Sequence, residues 1–589
     1  MTPAAHGRRG RARKGPAPAG PRRAVRARFA SFPLAAALRG AVALAAPLLV
    51  GVLTGWVTLS VIAGIGALWG VGQDGSDPYR SRVRRFLALG AAAAAGLAAG
   101  EVALRSGHPA AVTVCLVVAA LLGGAVSLRG RVASVAGMHL LLGVTIGSGI
   151  PVPGPWWHAP LALFTGVLLI LVLSAAPWLW RRNHDERAAL LAVYRAASAA
   201  LAAAGTPGAT DARRRLTDTL DNAHQVMARH LAPGRRPEPD PRVGDLLTAF
   251  RLAVRLAEAV TTLLWEARPL PAAVTRVPSV MAARLLPGRG GTAPALPDVE
   301  PDTPGLRALA HVCAAADAEW TDDAALHVPA PPRAGRSAHL RYAVLLAVCV
   351  LAAQLCAEVM HGPRSYWLPM TVAFVYKPDF GPVFRRALHR CVGTVVGVAA
   401  IGAVALLTQD TYALIGVVAL FGALMAVGVR HHYALATTGL TAVVFVLVDL
   451  LGDDRALYVP RILDTALAAA IVLVVHFAVW PDSLTHRASA RTEAALDAAL
   501  RYRDLSPVVT PAQRQALRRT AYRQLAEARR TAAHARREPG PPGRRLPDWE
   551  ETITAAEQLC DAVTARSLGA TASAAHTASA GSSARAKRE

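Results

Sequence analysis

Long uncharged runs separated by basic gaps organise this chain. No charged residue lies between Gly40 and Gln73, a run too long for one crossing of a ~30 Å hydrocarbon core, which takes roughly 20 residues of helix. It reads as a hairpin of two helices turning at Leu53 to Trp56. Further uncharged blocks run from Phe86 to Gly100, Pro109 to Leu128, Val132 to Ile150 and Ala159 to Trp180. A second set reads Tyr342 to Ala357, Ser365 to Tyr376, Cys391 to Gln409, Thr411 to Val429, Tyr433 to Val448 and Thr465 to Trp480. The block at Ser365 is short, and predicts a half-helix or re-entrant segment. Such backbone is tolerated at membrane depth only where protein or water covers it. The pattern predicts an all-α membrane protein with two arrays of about six transmembrane helices.

Charge gives these helices an orientation. The chain has 64 Lys+Arg against 39 Asp+Glu, a formal net charge of +25. A soluble nucleic-acid binder is excluded, because the basic residues flank apolar runs and few aromatics lie among them. Residues 1–33 hold Arg8, Arg9, Arg11, Arg13, Lys14, Arg22, Arg23, Arg26 and Arg28 and no acid, so the N-terminus is expected in the cytoplasm. Every second loop is then basic: Arg80, Arg82, Arg84 and Arg85; Arg129 and Arg131; Arg181 and Arg182; Lys377, Arg385, Arg386 and Arg390; Arg430. The intervening loops are poor in Lys and Arg, and Trp156 and Trp157 stand at one as interface anchors. The N-terminal segment leads into a hairpin with no small-residue cleavage site, unlike a signal peptide. A bacterial inner membrane, with both termini cytoplasmic, is the expected location.

Six domains follow: a basic N-terminus (1–33), a first transmembrane array (34–180), a first cytosolic helical domain (181–336), a second array (337–480), a second cytosolic helical domain (481–567) and a disordered Ala/Ser/Thr tail (568–589). The Pro-rich stretch from Pro269 to Pro304 reads as an irregular excursion. The two halves share features. Leu38-Arg39-Gly40-Ala41 and Leu340-Arg341-Tyr342-Ala343 open the arrays, and Trp56 and Trp367 enter the second helices. Small-xxx-small pairs, Gly96 with Gly100 and Gly393 with Gly397, mark the third helices, where glycines let backbones approach. An even number of spans per half makes these parallel repeats, related by a pseudo-two-fold axis along the membrane normal that could enclose a central pathway.

Little conventional chemistry is written in the chain. It has no phosphate-binding G-x-x-x-x-G-K-[ST] loop, no H-E-x-x-H and no clustered Cys/His set; no enzyme activity, metal or cofactor is expected. Its six cysteines read as reduced packing residues. Charges in or at the edges of spans are the informative ones. Arg39 and Arg341, in matched positions, either snorkel to the headgroups or line a pathway and attract anions. Asp449, Arg461 and Asp464 form either an ion-pair set, Asp464 standing one turn after Arg461, or a proton relay. His139 and His476 lie in spans as packing residues or proton carriers. His431-His432 at a helix end has a topological or dipole role.

Trp367-Leu368-Pro369-Met370-Thr371-Val372, the loop at Pro378, then Arg386, Arg390 and Gly393-Thr394-Val395-Val396-Gly397, together with Arg461-Ile462-Leu463-Asp464-Thr465, resemble the fusaric acid resistance (FUSC) family. The resemblance covers residues 335–482, with 30–182 as a degenerate copy that lacks the G-T pair at Gly90. It implies an integral-membrane efflux protein of the aromatic acid exporter type, similar also to plant malate channels; Trp367, Thr371, Arg386 and Arg390 from its motifs join Arg39 and Arg341, read from their matched positions in the repeat, as the expected pathway residues. The expected function is efflux of a small organic anion, an aromatic carboxylic acid, driven by the membrane potential or a proton gradient. Alternatives are an anion channel of the malate-channel type and a membrane scaffold with basic cytosolic domains. The partners expected are that anion, the lipid bilayer and further copies of the chain in a homo-oligomer, without nucleic acid.

Overall fold

The computed structural model describes residues 34–75, 79–176, 183–228, 241–283, 299–315, 336–361, 364, 366–377, 383–452, 457–479, 483–537 and 546–586. The basic N-terminus, Arg181, Arg182 and the loop at Pro378 lie outside them. Helix is the one regular secondary structure among the described residues, with no strand among them.

The first six helices are α1 (Leu34–Thr54), α2 (Val57–Val71), α3 (Tyr79–Arg105), α4 (Pro109–Ser127), α5 (Arg131–Gly149) and α6 (His158–Ala175). The predicted hairpin turns at Gly55, whose φ of +78° suits a residue without a side chain. After α6 come α7 (His184–Ala202), α8 (Ala209–Met227), α9 (Pro241–Trp265), α10 (Ala272–Ala283) and α11 (Pro304–Ala314). The second apolar set is α12 (Arg336–Met360), α13 (Trp367–Val375), α14 (Val383–Leu407), α15 (Thr411–His431), α16 (Tyr433–Asp449) and α17 (Tyr458–Val479), followed by α18 (Ser483–Leu505), α19 (Pro511–Arg536) and α20 (Trp549–Ala586). Among the described residues, nine helices are long and apolar enough to cross a membrane, and α2 and α16 are shorter apolar helices.

Three findings depart from the sequence reading. The basic runs after α2 and α13 are not loops in full. They continue into α3 and α14, so Arg82, Arg85 and Arg390 are helical and buried. The stretch after Pro269 contains α10, with Pro278 inside it. The expected disordered tail continues the backbone of α20 to Ala586, because its alanines have the highest helix propensity.

In the first set α1 packs on α2 and α6, α3 on α5 and α6, α2 on α6, and α4 on α5. In the second α12 packs on α13 and α17, α14 on α16 and α17, α13 on α17, and α15 on α16. The sets join through α1 against α15, α4 against α12, and the smaller contacts of α5 with α13 and α2 with α16. One hydrophobic core runs through both. The glycine pairs sit at these seams: a Cβ at Gly393 would lie 2.6 Å from the Ala434 carbonyl oxygen, and one at Gly397 2.8 Å from Thr441 Cβ. Gly96 and Gly100 rest on the Leu140 and Val144 carbonyls of α5, further along their partner helix than the second pair. Two further cores, in α7–α11 and in α18–α20, belong to the helical domains. These meet through α8 against α19 and through α9 and α11 against α20. Thr510 and Gln513 form a capping box on α19, with Pro511 in its first turn.

Candidate functional site

Helix α13 shapes the junction between the two apolar sets. Nine residues rise only ~14 Å, and Trp367, Leu368, Met370, Thr371, Val372 and Val375 are all buried. Protein therefore covers the short helix, as irregular backbone at membrane depth requires. The Thr371 hydroxyl donates to the Trp367 carbonyl at 2.8 Å. At the other end Arg386 Nη1 donates to the Val375 carbonyl at 3.2 Å, holding the last turn of α13 against α14.

Two arginines of the second set turn inward here. Arg461, near the start of α17, is 1% exposed, with its Cζ 4.9 Å from the Trp367 ring centroid. Its Nη1 reaches Thr371 Oγ1 at 3.5 Å, while Nε and Nη2 make no hydrogen bond among the described residues. Arg390 on α14 is 2% exposed and lies 4.7 Å from the Phe374 ring centroid, and its Nε and Nη2 are likewise unbonded among the described residues. Buried polar groups ordinarily find partners, so two such guanidiniums mark this junction.

Both face open space. A cavity of about 290 Å³ lies between the sets at the end from which the helical domains continue. Lys377, Arg390, Arg430, His139, His431, His432 and Tyr433 line it together with Trp69 and Phe374, and none of the described lining residues is a carboxylate. A smaller apolar cavity adjoins it, sharing Leu68, Trp69, Phe374 and Leu440, and reaches Trp367, Met370 and Arg461. Its aromatic lining is Trp69, Tyr366, Trp367 and Phe374, and behind it Trp367 meets Phe445 edge-on at 5.9 Å.

Of the residues singled out from sequence, Trp367, Thr371, Arg390 and Arg461 are brought together around these cavities, and Arg386 braces the short helix beside them. Arg39 and Arg341 are not brought there. Arg39 donates to Asp74 Oδ2 from Nε at 3.0 Å and from Nη2 at 2.6 Å, so an acid on the neighbouring helix end already offsets its charge. Arg341 is exposed on α12. Among the described residues no direct ion pair joins Asp449, Arg461 and Asp464: Asp449 is exposed at the end of α16, Asp464 is half-buried, and Arg461 lies under Trp367. His139 lines the larger cavity with its Nδ1 2.7 Å from the Val135 carbonyl oxygen. His476 stacks edge-on to Tyr376. Trp69 and Phe374 were not legible as site residues, being apolar residues in apolar runs.

Acids accompany the cations of the first set. Asp74 also accepts from the Ser174 hydroxyl at 2.7 Å, and Arg82 binds the Ser174 carbonyl at 3.0 Å and lies 3.5 Å from Asp185 of α7. Arg105 pairs with Glu101 one turn away. Glu358 of α12 accepts from Thr113 of α4 at 2.7 Å, across the seam.

Comparison with known proteins adds a family. Residues 343–475 match the family described as fusaric acid resistance protein-like. An uncharacterized protein of Haemophilus influenzae is 30% identical over 143 residues, 24% of this chain and 20% of that protein. The inner membrane protein YccS of Escherichia coli is 27% identical over 168 residues, 28% of this chain and 23% of that protein. The uncharacterized membrane protein YvaC of Bacillus subtilis is 24% identical over 480 residues, 77% of this chain and 74% of that protein. The chain thus spans about a fifth of the first relative, under a quarter of the second and about three quarters of the third. No solved structure matches. Residues 343–475, which match that family description, run from α12 into α17 and contain Trp367, Thr371, Arg390 and Arg461, and this likeness together with the long apolar helices makes the chain a multi-pass membrane protein.

Proposed function

We propose that the chain is a transporter that moves small organic anions, aromatic carboxylates first among them, out of a bacterial cell through the junction between its two apolar sets. The cationic cavity carries this reading: Arg390, Lys377 and Arg430 face one space with no carboxylate among its described lining residues. Such a mouth concentrates anions. The adjoining apolar cavity offers aromatic walls to a ring and Arg461 to a carboxylate, and planar guanidinium forks suit carboxylates.

Two arrangements proposed from sequence gain support. Each helix pairing in α1–α6 named above has its counterpart in α12–α17, and α1 against α15 mirrors α12 against α4, as two parallel repeats about a common axis would give. With basic ends cytoplasmic, the cationic cavity and both helical domains face the cytoplasm. An inside-negative potential then drives anions outward by ~2.3 kcal/mol per charge per 100 mV.

The test is flux of labelled benzoate from proteoliposomes under an imposed potential, against a dicarboxylate and a neutral aromatic amide. Potential-driven flux of the acid, lost in Arg390→Ala, supports the proposal. Equal leakage of acid and amide, or none above protein-free vesicles, refutes it.

A further inference from the structure

The two helical domains enclose a polar seam that the transport reading leaves unused. Helix α19 presents Arg518, Arg519, Tyr522 and Arg523 on one face, towards Asp221 and His224 of α8 and Glu258 and Thr261 of α9. A cavity of about 40 Å³ lies among them.

Donors outnumber acceptors in this seam. Arg518 is 8% exposed; its Nη2 donates to Thr261 Oγ1 at 3.3 Å and its Nη1 stands 3.7 Å from Glu258. Arg519 Nη2 stands 3.8 Å from Asp221. Both ion-pair separations exceed hydrogen-bond length. That leaves four donors, Arg518 Nε, Arg519 Nε and Nη1, and Arg523 Nε, against two acceptors, Asp221 Oδ1 and Gln515 Oε1, buried without a hydrogen bond among the described residues. Three guanidiniums oppose two carboxylates. Burial raises the pKa of Glu258 against the opposing pull of Arg518. Burial and the nearby Arg519 hold His224 down at about 3, so its ring is neutral and adds no repulsion to a cation or an anion.

A group that presents several acceptor oxygens within a small volume meets such a fork of donors. We propose that the seam between α8, α9 and α19 binds a phosphoryl group, either as inorganic phosphate or as the phosphate end of a small metabolite, and that the bound group ties the two helical domains together. The cavity takes one tetrahedral oxoanion at its core and leaves any remainder of the molecule outside. Binding here is independent of whether anions cross the membrane portion.

The experiment is thermal unfolding and calorimetric titration of the full chain in nanodiscs. The probes are potassium phosphate, a hexose phosphate, and potassium chloride at matched ionic strength. Saturable binding of phosphate or the hexose phosphate is expected, with a rise in melting temperature that chloride does not reproduce. Arg519→Gln and Arg523→Gln should each weaken it by about tenfold, the loss of one charge-assisted hydrogen bond. Tighter binding of the hexose phosphate identifies a metabolite, and equal binding identifies free phosphate. Should Arg519→Gln fail to fold, Arg523→Gln carries the comparison. No saturable binding, a chloride effect equal to that of phosphate, or folded variants that bind as the parent does overturns the proposal.

Discussion

Replacing Arg461 by methionine should separate stability from transport. The guanidinium is 1% exposed. Its observed contacts are one ring at 4.9 Å and one hydroxyl at the 3.5 Å limit of hydrogen bonding. A desolvated cation–π contact gives about 2 kcal/mol, while burying a poorly compensated charge costs several kcal/mol. Methionine fills much of the same volume without that cost, and such replacements range from neutral to about 4 kcal/mol stabilising. Transport should move the other way. If Arg461 receives a carboxylate through two charge-assisted bonds, their loss removes about 3 kcal/mol, roughly a hundredfold in apparent affinity. Arg461→Lys keeps the charge without the fork and should fall between. The assay pairs thermal unfolding in nanodiscs with benzoate flux as a function of concentration. Flux within about twofold of the parent would sink the pathway role. A melting temperature far below the parent would make Arg461 a structural element instead.

Three further outcomes follow from other contacts. Asp74→Asn removes the charge that pairs with Arg39 while its remaining side-chain oxygen can still accept from Ser174, and should cost about 3 kcal/mol in chemical unfolding, because a nearly buried cation is left uncompensated. Gly393→Leu drives a side chain into the Ala434 carbonyl and Thr437; separating α14 from α16 by this overpacking should cost about 3 kcal/mol or more, read as lost monodisperse protein in size-exclusion chromatography. His224 is held near 3 in the folded chain against an ordinary value near 6.5. A depressed histidine destabilises the fold as pH drops below the unfolded value, by about 2 kcal/mol between pH 6.5 and 5. Asp561, pushed up to about 6 by burial, acts with the opposite sign, since its raised value favours the fold at low pH. The His224 contribution is therefore read as the difference between the parent and His224→Gln melting curves across that window; parallel curves would refute it.

The apolar segments were legible because a bilayer demands a minimum length of uncharged helix, and each predicted segment became a helix. The shortness of α13 was legible for the same reason. The fate of individual arginines was not. A basic residue beside an apolar run reads as a loop residue whether it is exposed at a helix end, as Arg341 is, or buried on a helix, as Arg390 is. Arg39 finds Asp74 on a different helix end, and nothing in local periodicity announces that pairing. The cavity walls were hidden more completely. Trp69, His139 and Phe374 come from α2, α5 and α13, and only the packing of those helices makes them neighbours. Similarly, the seam between the helical domains joins Asp221 to Arg519 across almost three hundred residues.

The contrast between the two halves bears on which of them would carry the anion. In the first, Asp74 holds Arg39, Asp185 and Ser174 hold Arg82, and Glu101 holds Arg105. These cations are largely neutralised where they stand, and a passing anion would have to compete with carboxylates only 2.5 to 3.5 Å away. In the second, Arg390 and Arg461 each keep two nitrogens without a hydrogen bond among the described residues, and aromatic faces rather than acids lie against them. An isolated buried cation is unfavourable, and any anion that reaches it removes part of that penalty. The ring contact is too weak to hold the charge against a carboxylate, so on the proposed route an anion could displace it on entry and leave again. A permanent acid at either position would stabilise the resting protein and close the route. Introducing one by Thr371→Asp, beside Arg461, should therefore raise thermal stability and suppress flux together; higher stability with unchanged flux would place the anion route elsewhere in the molecule.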